Sequence, residues 1–213
     1  MTSREWVKQR GWLILTLAGI ALMLAGFFSP WVDHPVAGLA LTGFEIGEWI
    51  KFAPEVRAGT AGLSRSGFYW PATAAAVGLA VVAASVERRT RIRWALLAGA
   101  AGVALLPFPL VEEITSRAGV QANWPRFGLI ALGLIAVAAV AIWGHRLPRW
   151  AVGGALVAIG AGGLIVVSAT FVAAEPIVER IYHRLIDPGA GLTMAQAGLV
   201  ALIGGGVWLA RTK

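Results

Sequence analysis

The chain has 213 residues, 58% of them hydrophobic and 14% charged, with a mean hydropathy of +0.74, a composition that excludes an ordinary soluble domain and makes lipid the expected solvent. A net charge of +7 and a pI near 11 would suit a nucleic-acid binder, but the basic residues have first to be placed relative to a membrane. The absence of cysteine excludes disulfides, thiolate catalysis, cysteine metal sites and a lipoprotein anchor.

Six uncharged runs, at 11–32, 66–86, 94–111, 127–144, 150–174 and 188–210, each hold 18 to 25 residues. A helix needs about 20 apolar residues to cross a hydrocarbon core about 30 Å thick. The runs are apolar on every face, whereas barrel strands alternate. The expected fold is therefore an all-α integral membrane protein, a bundle of six transmembrane helices forming one domain over 1–213. Arg4, Lys8 and Arg10 precede the first run as in a secretion signal. The run is too long for a signal, however, and Phe27, Phe28, Ser29 and Pro30 offer no small-x-small cleavage site, so it reads as a retained anchor.

The segment 33–65 is the longest hydrophilic connection and is expected to hold an amphipathic interfacial helix. Thr42 and Glu45 have capping-box spacing, Ile46, Trp49, Ile50 and Ala53 recur at helical intervals, and Pro54 with Gly59 forms a stop. Pro30, Pro35, Gly38 and Gly43 make the approach to that helix turn-rich.

Lys and Arg in alternate connections number eleven on the side of the termini and seven on the other, where the loops are longer. The positive-inside rule then places both termini in the cytoplasm, in a plasma (inner) membrane. Acidic residues sharpen the contrast: only Glu5 and Glu87 lie inside, giving +9, against nine acids and −2 outside. Arg88, Arg89, Arg91 and Arg93 are expected to meet anionic inner-leaflet lipid, which accounts for the basic excess without nucleic acid. All ten tryptophans fall near run ends, where indole rings favour the headgroup level. Trp6, Trp12, Trp94, Trp143, Trp150 and Trp208 mark the inner boundary, and Trp31, Trp49, Trp70 and Trp124 the outer one.

PLVEEI at 109–114 and PIVERI at 176–181, followed by GLIAL at 128–132 and GLVAL at 198–202, suggest three repeated helical hairpins. In both, P-x-x-E is expected to open an outer helix, with proline in the first turn and carboxylates favoured by the helix dipole. Ala72, Ala76, Ala80 and Ala84, and Gly154, Ala158 and Gly162, form small-residue stripes that permit close helix packing, within the chain or against a protein partner. Gly204, Gly205 and Gly206 thin the last helix for a neighbour.

The chemistry of a site is sparse. The runs contain no ionisable residue, which counts against a proton-coupled pump. Thr16, Thr73, Ser85, Ser168, Thr170 and Gln196 are suited to hydrogen bonds between helices. There is no phosphate-cradling lysine loop. His34, His145 and His183 stand at run boundaries, so neither haem nor another metal or cofactor is expected.

Pro109, Glu112, Glu113 and Arg117 form P-x-x-E-E-x-x-x-R, which locally resembles the CAAX-protease and bacteriocin-immunity family of intramembrane proteases. The resemblance implies a water-activating role for Glu112 or Glu113 with histidines on later helices, such as His145, or His183 with Asp187. The sequence departs from that pattern: Ala141 stands where the family has phenylalanine, and the topology puts His145 a whole span, about 30 Å, from Glu112. The leading expectation is a non-catalytic subunit, scaffold or assembly partner of a membrane complex. The alternatives are a solute-binding permease component, with its pocket between the bundle and the 33–65 loop, and the protease.

Overall fold

Prolines and caps set where the helices of this chain begin. The fold is seen in a computed structural model that describes residues 3–34, 40–144 and 146–211. The first helix, α1 (Ser3–Phe27), gives way to strand β1 (Pro30–Val32), which pairs antiparallel with β2 (Leu41–Thr42). Thr42 then caps α2 (Gly43–Trp49) through the full reciprocal capping box with Glu45. A 3-10 turn over Ile50–Phe52 extends that helix to Ala53. Ile46, Ile50 and Ala53 are buried, so the apolar stripe read in the sequence faces the bundle. Pro54 does more than stop the helix, because it opens a short α3 (Pro54–Arg57).

A 3-10 turn over Arg65–Tyr69 leads into α4 (Trp70–Ala84), whose Pro71 occupies the first turn, where no amide hydrogen is needed. Thr90 caps α5 (Arg91–Ala104), and a 3-10 turn over Val111–Ile114 precedes α6 (Arg117–Ala122). The remaining helices are α7 (Trp124–Trp143), α8 (Arg149–Tyr182) and α9 (Ala190–Arg211).

Among the described residues, four helical stretches are long and apolar enough to cross a membrane: Arg65–Ala84, Trp124–Trp143, Arg149–Tyr182 and Ala190–Arg211. The other two expected spans are shorter as helices. The first run is helical and apolar over Gly11–Phe27 and then becomes β1. The third ends as an α-helix at Ala104, ahead of Pro107 and Pro109, since a residue before proline disfavours helical backbone.

The two look-alike segments take different structures. Pro109 precedes a 3-10 turn, whereas Pro176 lies inside α8, which runs on to Tyr182 and ends at His183 in the left-handed conformation. A single proline removes one ladder bond from an otherwise well-packed helix. The two prolines at 107 and 109 break theirs.

Helix α4 is the centre of the molecule. It packs against α1 and α8 on one side and against α5 and α7 on the other, while α9 fills the gap between α1 and α8. Twelve of its fifteen residues are buried, and Ala72, Ala76 and Ala80 are among them. A helix that is small and apolar on every face suits such a position.

The second stripe lies differently: Gly154 and Ala158 are exposed, and α8 packs instead through Gly153, Leu156, Gly160 and Gly163, one position out of register. Gly153 meets Gly206 of α9 backbone to backbone, and Gly205 accommodates Thr16 of α1. Ile14 and Leu17 on α1, Ile135 and Ile142 on α7, Ile165 and Val172 on α8 and Val200 on α9 are exposed. That girdle is unfavourable in water and natural against lipid.

One end of the bundle is tied together by long-range contacts. Val32 bridges to Pro188, the Gly189 amide donates to the Trp31 carbonyl at 2.8 Å, and Arg180 pairs with Glu55. Strand β1 is thereby fastened to the α8–α9 connection, and the 33–65 segment to the last turns of α8.

Candidate functional site

The same end carries a cluster of four charges drawn from three parts of the chain. Glu48 closes α2, Lys51 lies on the 3-10 turn after it, Glu113 lies on the turn before α6, and Arg126 is in the first turn of α7. Arg126 Nη1 lies 2.8 Å from Glu48 Oε1 and 3.5 Å from Glu113 Oε2. Its Nε donates to the Pro107 carbonyl at 2.9 Å. Lys51 donates to Glu48 Oε2 at 3.1 Å and also pairs with Glu113. Asn123 Nδ2 donates to Glu113 Oε2 at 3.2 Å, and the Tyr69 hydroxyl donates to Glu48 Oε1 at 2.5 Å. The Arg126 guanidinium stacks on the Tyr69 ring, 4.2 Å from its centroid, a cation–π contact strengthened by the loss of water around it.

Arg126 is only 2% exposed. A cation in the first turn of a helix faces the positive end of the dipole, so the two carboxylates meet a need that α7 itself creates. Burial acts against the charged form of Glu48, but the hydrogen bond from Tyr69 and the charges of Arg126 and Lys51 outweigh it and hold its carboxyl below the ordinary value of 4.5.

An open groove with a volume of about 1070 Å³ lies over this cluster. One wall comes from the 51–66 segment, including Phe52, Val56, Leu63 and Arg65, and the other from the 110–126 segment, including Leu110, Glu112 and Ala122. Glycines with positive φ at Gly59 and Gly62 shape the turn in the first wall.

The sequence-derived candidates are distributed unevenly around it. Glu113 belongs to the cluster, whereas Glu112 and Arg117 are exposed. His183 caps α8, and His145 lies outside the described residues, as do Pro35, Gly38 and the side chain of Trp6. No group of three or more metal-ligating acids, histidines or cysteines occurs among the described residues.

Of the tryptophans, Trp94, Trp124, Trp143 and Trp150 are exposed. Trp49 and Trp70 are half-buried, and Trp70 donates to the Ile159 carbonyl. Trp208 packs on Gly11 of α1. Trp12 and Trp31 depart from the expectation: both are core residues, and Trp31 is fully enclosed with its indole N–H on the Gly26 carbonyl at 2.8 Å.

Arg93 departs likewise. Arg88, Arg89 and Arg91 are exposed, but Arg93 is buried and donates to the Val140 carbonyl at 2.7 Å. It thereby satisfies the C-terminal end of α7, where a cation is favoured.

Sequence reading missed Glu48, Lys51, Tyr69, Asn123 and Arg126 as a unit. The available signal was Arg126 beside Pro125, a lone cation where an apolar helix begins, which calls for an acidic partner. No protein-family model, curated protein or solved structure matches the chain.

Proposed function

We propose that the chain is a membrane protein of six helical spans whose task is binding: a non-catalytic component of a membrane complex that presents the groove to a partner or solute. The observation that carries this reading is the groove itself, about 1070 Å³ of open volume above four charges that are paired with one another. Glu113 is held by Lys51, Arg126 and Asn123, and a carboxylate so engaged is a poor general base. This disfavours Glu113 as the water-activating base that the P-x-x-E-E motif implies.

In this reading α1 and α5 supply the two remaining crossings. As an α-helix of 14 residues, α5 reaches about 21 Å, and the turns after it make up the rest of a span near 30 Å. The end with Arg88, Arg89 and Arg91 faces the cytoplasm together with both termini, and the groove opens on the other side. The exposed face of α8 around Gly154 and Ala158 leaves room for a neighbouring helix.

A second reading, a solute-binding permease component, is favoured by the groove volume, which is of the order of small-molecule sites at roughly 300–1,000 Å³. The test is affinity purification of the tagged chain from its own membrane in mild detergent, with Ala122→Trp, which fills the groove, as the comparison. A stoichiometric protein or bound solute that is lost with Ala122→Trp is the expected result. A chain that runs alone and empty in both forms overturns the proposal.

A further inference from the structure

Two arginines of the groove each carry a donor without a partner. Arg126 Nη2 is buried and has no hydrogen-bond partner among the described residues, and the same holds for Arg65 Nη1. Both side chains line the groove. They belong to one neighbourhood, because Arg65 begins the 3-10 turn that ends at Tyr69, on whose ring Arg126 stacks. A buried guanidinium N–H without an acceptor is unfavourable, and of the five unpartnered buried side-chain atoms among the described residues, only those of Arg65 and Arg126 belong to residues that line the groove.

Charge balance gives the sign of that acceptor. Glu48, Lys51, Glu113 and Arg126 neutralise one another, which leaves Arg65 and Arg57 against Glu112 and makes the groove positive. Ser64 and Ser66 flank Arg65 and add hydroxyls to the same wall, 2.7 Å from one another. Two guanidinium groups approaching from different elements, with hydroxyls beside one of them, suit a tetrahedral oxyanion with several acceptor oxygens. The groove also has an apolar shoulder, where Phe52 and Leu110 are exposed.

We propose that the groove binds a phosphate group between Arg65 and Arg126, either as free phosphate or as the headgroup of an anionic lipid whose chains lie along Phe52 and Leu110. The proposal rests on reading the groove as a binding surface and adds the chemistry of what it binds. Arg126 is a structural member of the cluster as well as a ligand, whereas Arg65 is partly exposed and makes no ion pair with a described residue, so Arg65 is the residue to vary.

The experiment uses the full chain purified in a zwitterionic detergent, titrated separately with inorganic phosphate and with dioctanoyl phosphatidic acid, with dioctanoyl phosphatidylcholine as the control lipid. The readout is the shift of the thermal unfolding midpoint with concentration. A saturable rise is expected with at least one phosphate probe. It should weaken tenfold or more in Arg65→Gln and stay unchanged in Arg89→Gln, an exposed arginine at the opposite end. A rise with both probes assigns free phosphate, and a rise with phosphatidic acid alone assigns the lipid.

No response to either probe overturns the proposal, and so does a response that Arg65→Gln leaves intact. If phosphate has no effect while Ala122→Trp still strips a co-purifying partner or solute, the groove binds something else and only the phosphate inference fails. If Ala122→Trp changes nothing as well, the reading of the groove as a binding surface fails with it.

Discussion

Arg126 organises the site because it has nowhere else to discharge its charge. It is buried at a helix start, and its attraction to Glu48 and Glu113 operates where water screens little. Replacing Glu48 with Gln removes that compensation and is expected to cost roughly 2 kcal/mol, the scale of a charge-assisted hydrogen bond. Glu112→Gln, on an exposed side chain, should stay within about 0.5 kcal/mol of the parent. Denaturant or thermal unfolding in detergent separates the two, and equal effects would contradict the cluster. The pH dependence follows in sign. Because the folded chain holds the Glu48 carboxyl below its ordinary 4.5, its contribution is fully present above the unfolded value and is lost as pH falls through the folded one. The parent's stability should therefore fall more steeply on acidification than that of Glu48→Gln, and the difference between the two should shrink as Glu48 is protonated. Glu113 was conspicuous in the sequence because it sits in a recognisable P-x-x-E-E string. Its partner Lys51 lies 62 residues away, and no local spacing announces a contact of that range.

Helix packing was legible where it depends on local composition and obscure where it depends on rotation. Ala72, Ala76 and Ala80 of the alanine stripe on α4 are buried and Ala84 at its end is half-buried, and the capping box of α2 forms in full. The glycine stripe on α8 was assigned one residue out of register, since Gly153, Gly154, Gly160, Gly162 and Gly163 support either face and only the neighbouring α9 decides between them. The polar residues inside the runs divide: Gln196 of α9 donates to Ser168 of α8 at 3.0 Å, joining two helices, whereas the buried hydroxyls of Thr16 and Thr73 have no hydrogen-bond partner among the described residues, contrary to the expectation. The contact between α1 and α9 depends most on glycine. A Cβ at Gly19 or at Gly198 would lie within 2.7 Å of the other residue's carbonyl oxygen. Gly198→Leu should separate these helices and cost about 1–3 kcal/mol or more, as overpacking does. Gly102→Leu, where a side chain meets open space, should leave the unfolding midpoint nearly unchanged. A similar loss in both would mean that α1 and α9 are not closely packed.

At the level of the whole molecule, hydropathy identified helices and charge suggested their direction, because both signals are additive along the chain and need no knowledge of the fold. The groove and its charged floor are not additive. They arise from three segments that meet only after α4, α5 and α7 are in place, and no local pattern announces that meeting. The first and third uncharged runs are the weakest part of the sequence pattern for a related reason: an uncharged run marks where helix is permitted, and inside these two the helix ends at Phe27, ahead of strand β1, and at Ala104, ahead of Pro107 and Pro109. The account stands on six crossings with the groove and the basic connections on opposite faces of the membrane. Since the chain has no cysteine, a single cysteine at Ser64, in the groove wall, or at Thr90, at the cap of α5, is a unique label. Treatment of intact cells with a membrane-impermeant maleimide should modify the Ser64 variant at once and the Thr90 variant only after permeabilisation. Labelling of both from the same side would contradict the six-span arrangement and, with it, the exposure of the groove on the outer face.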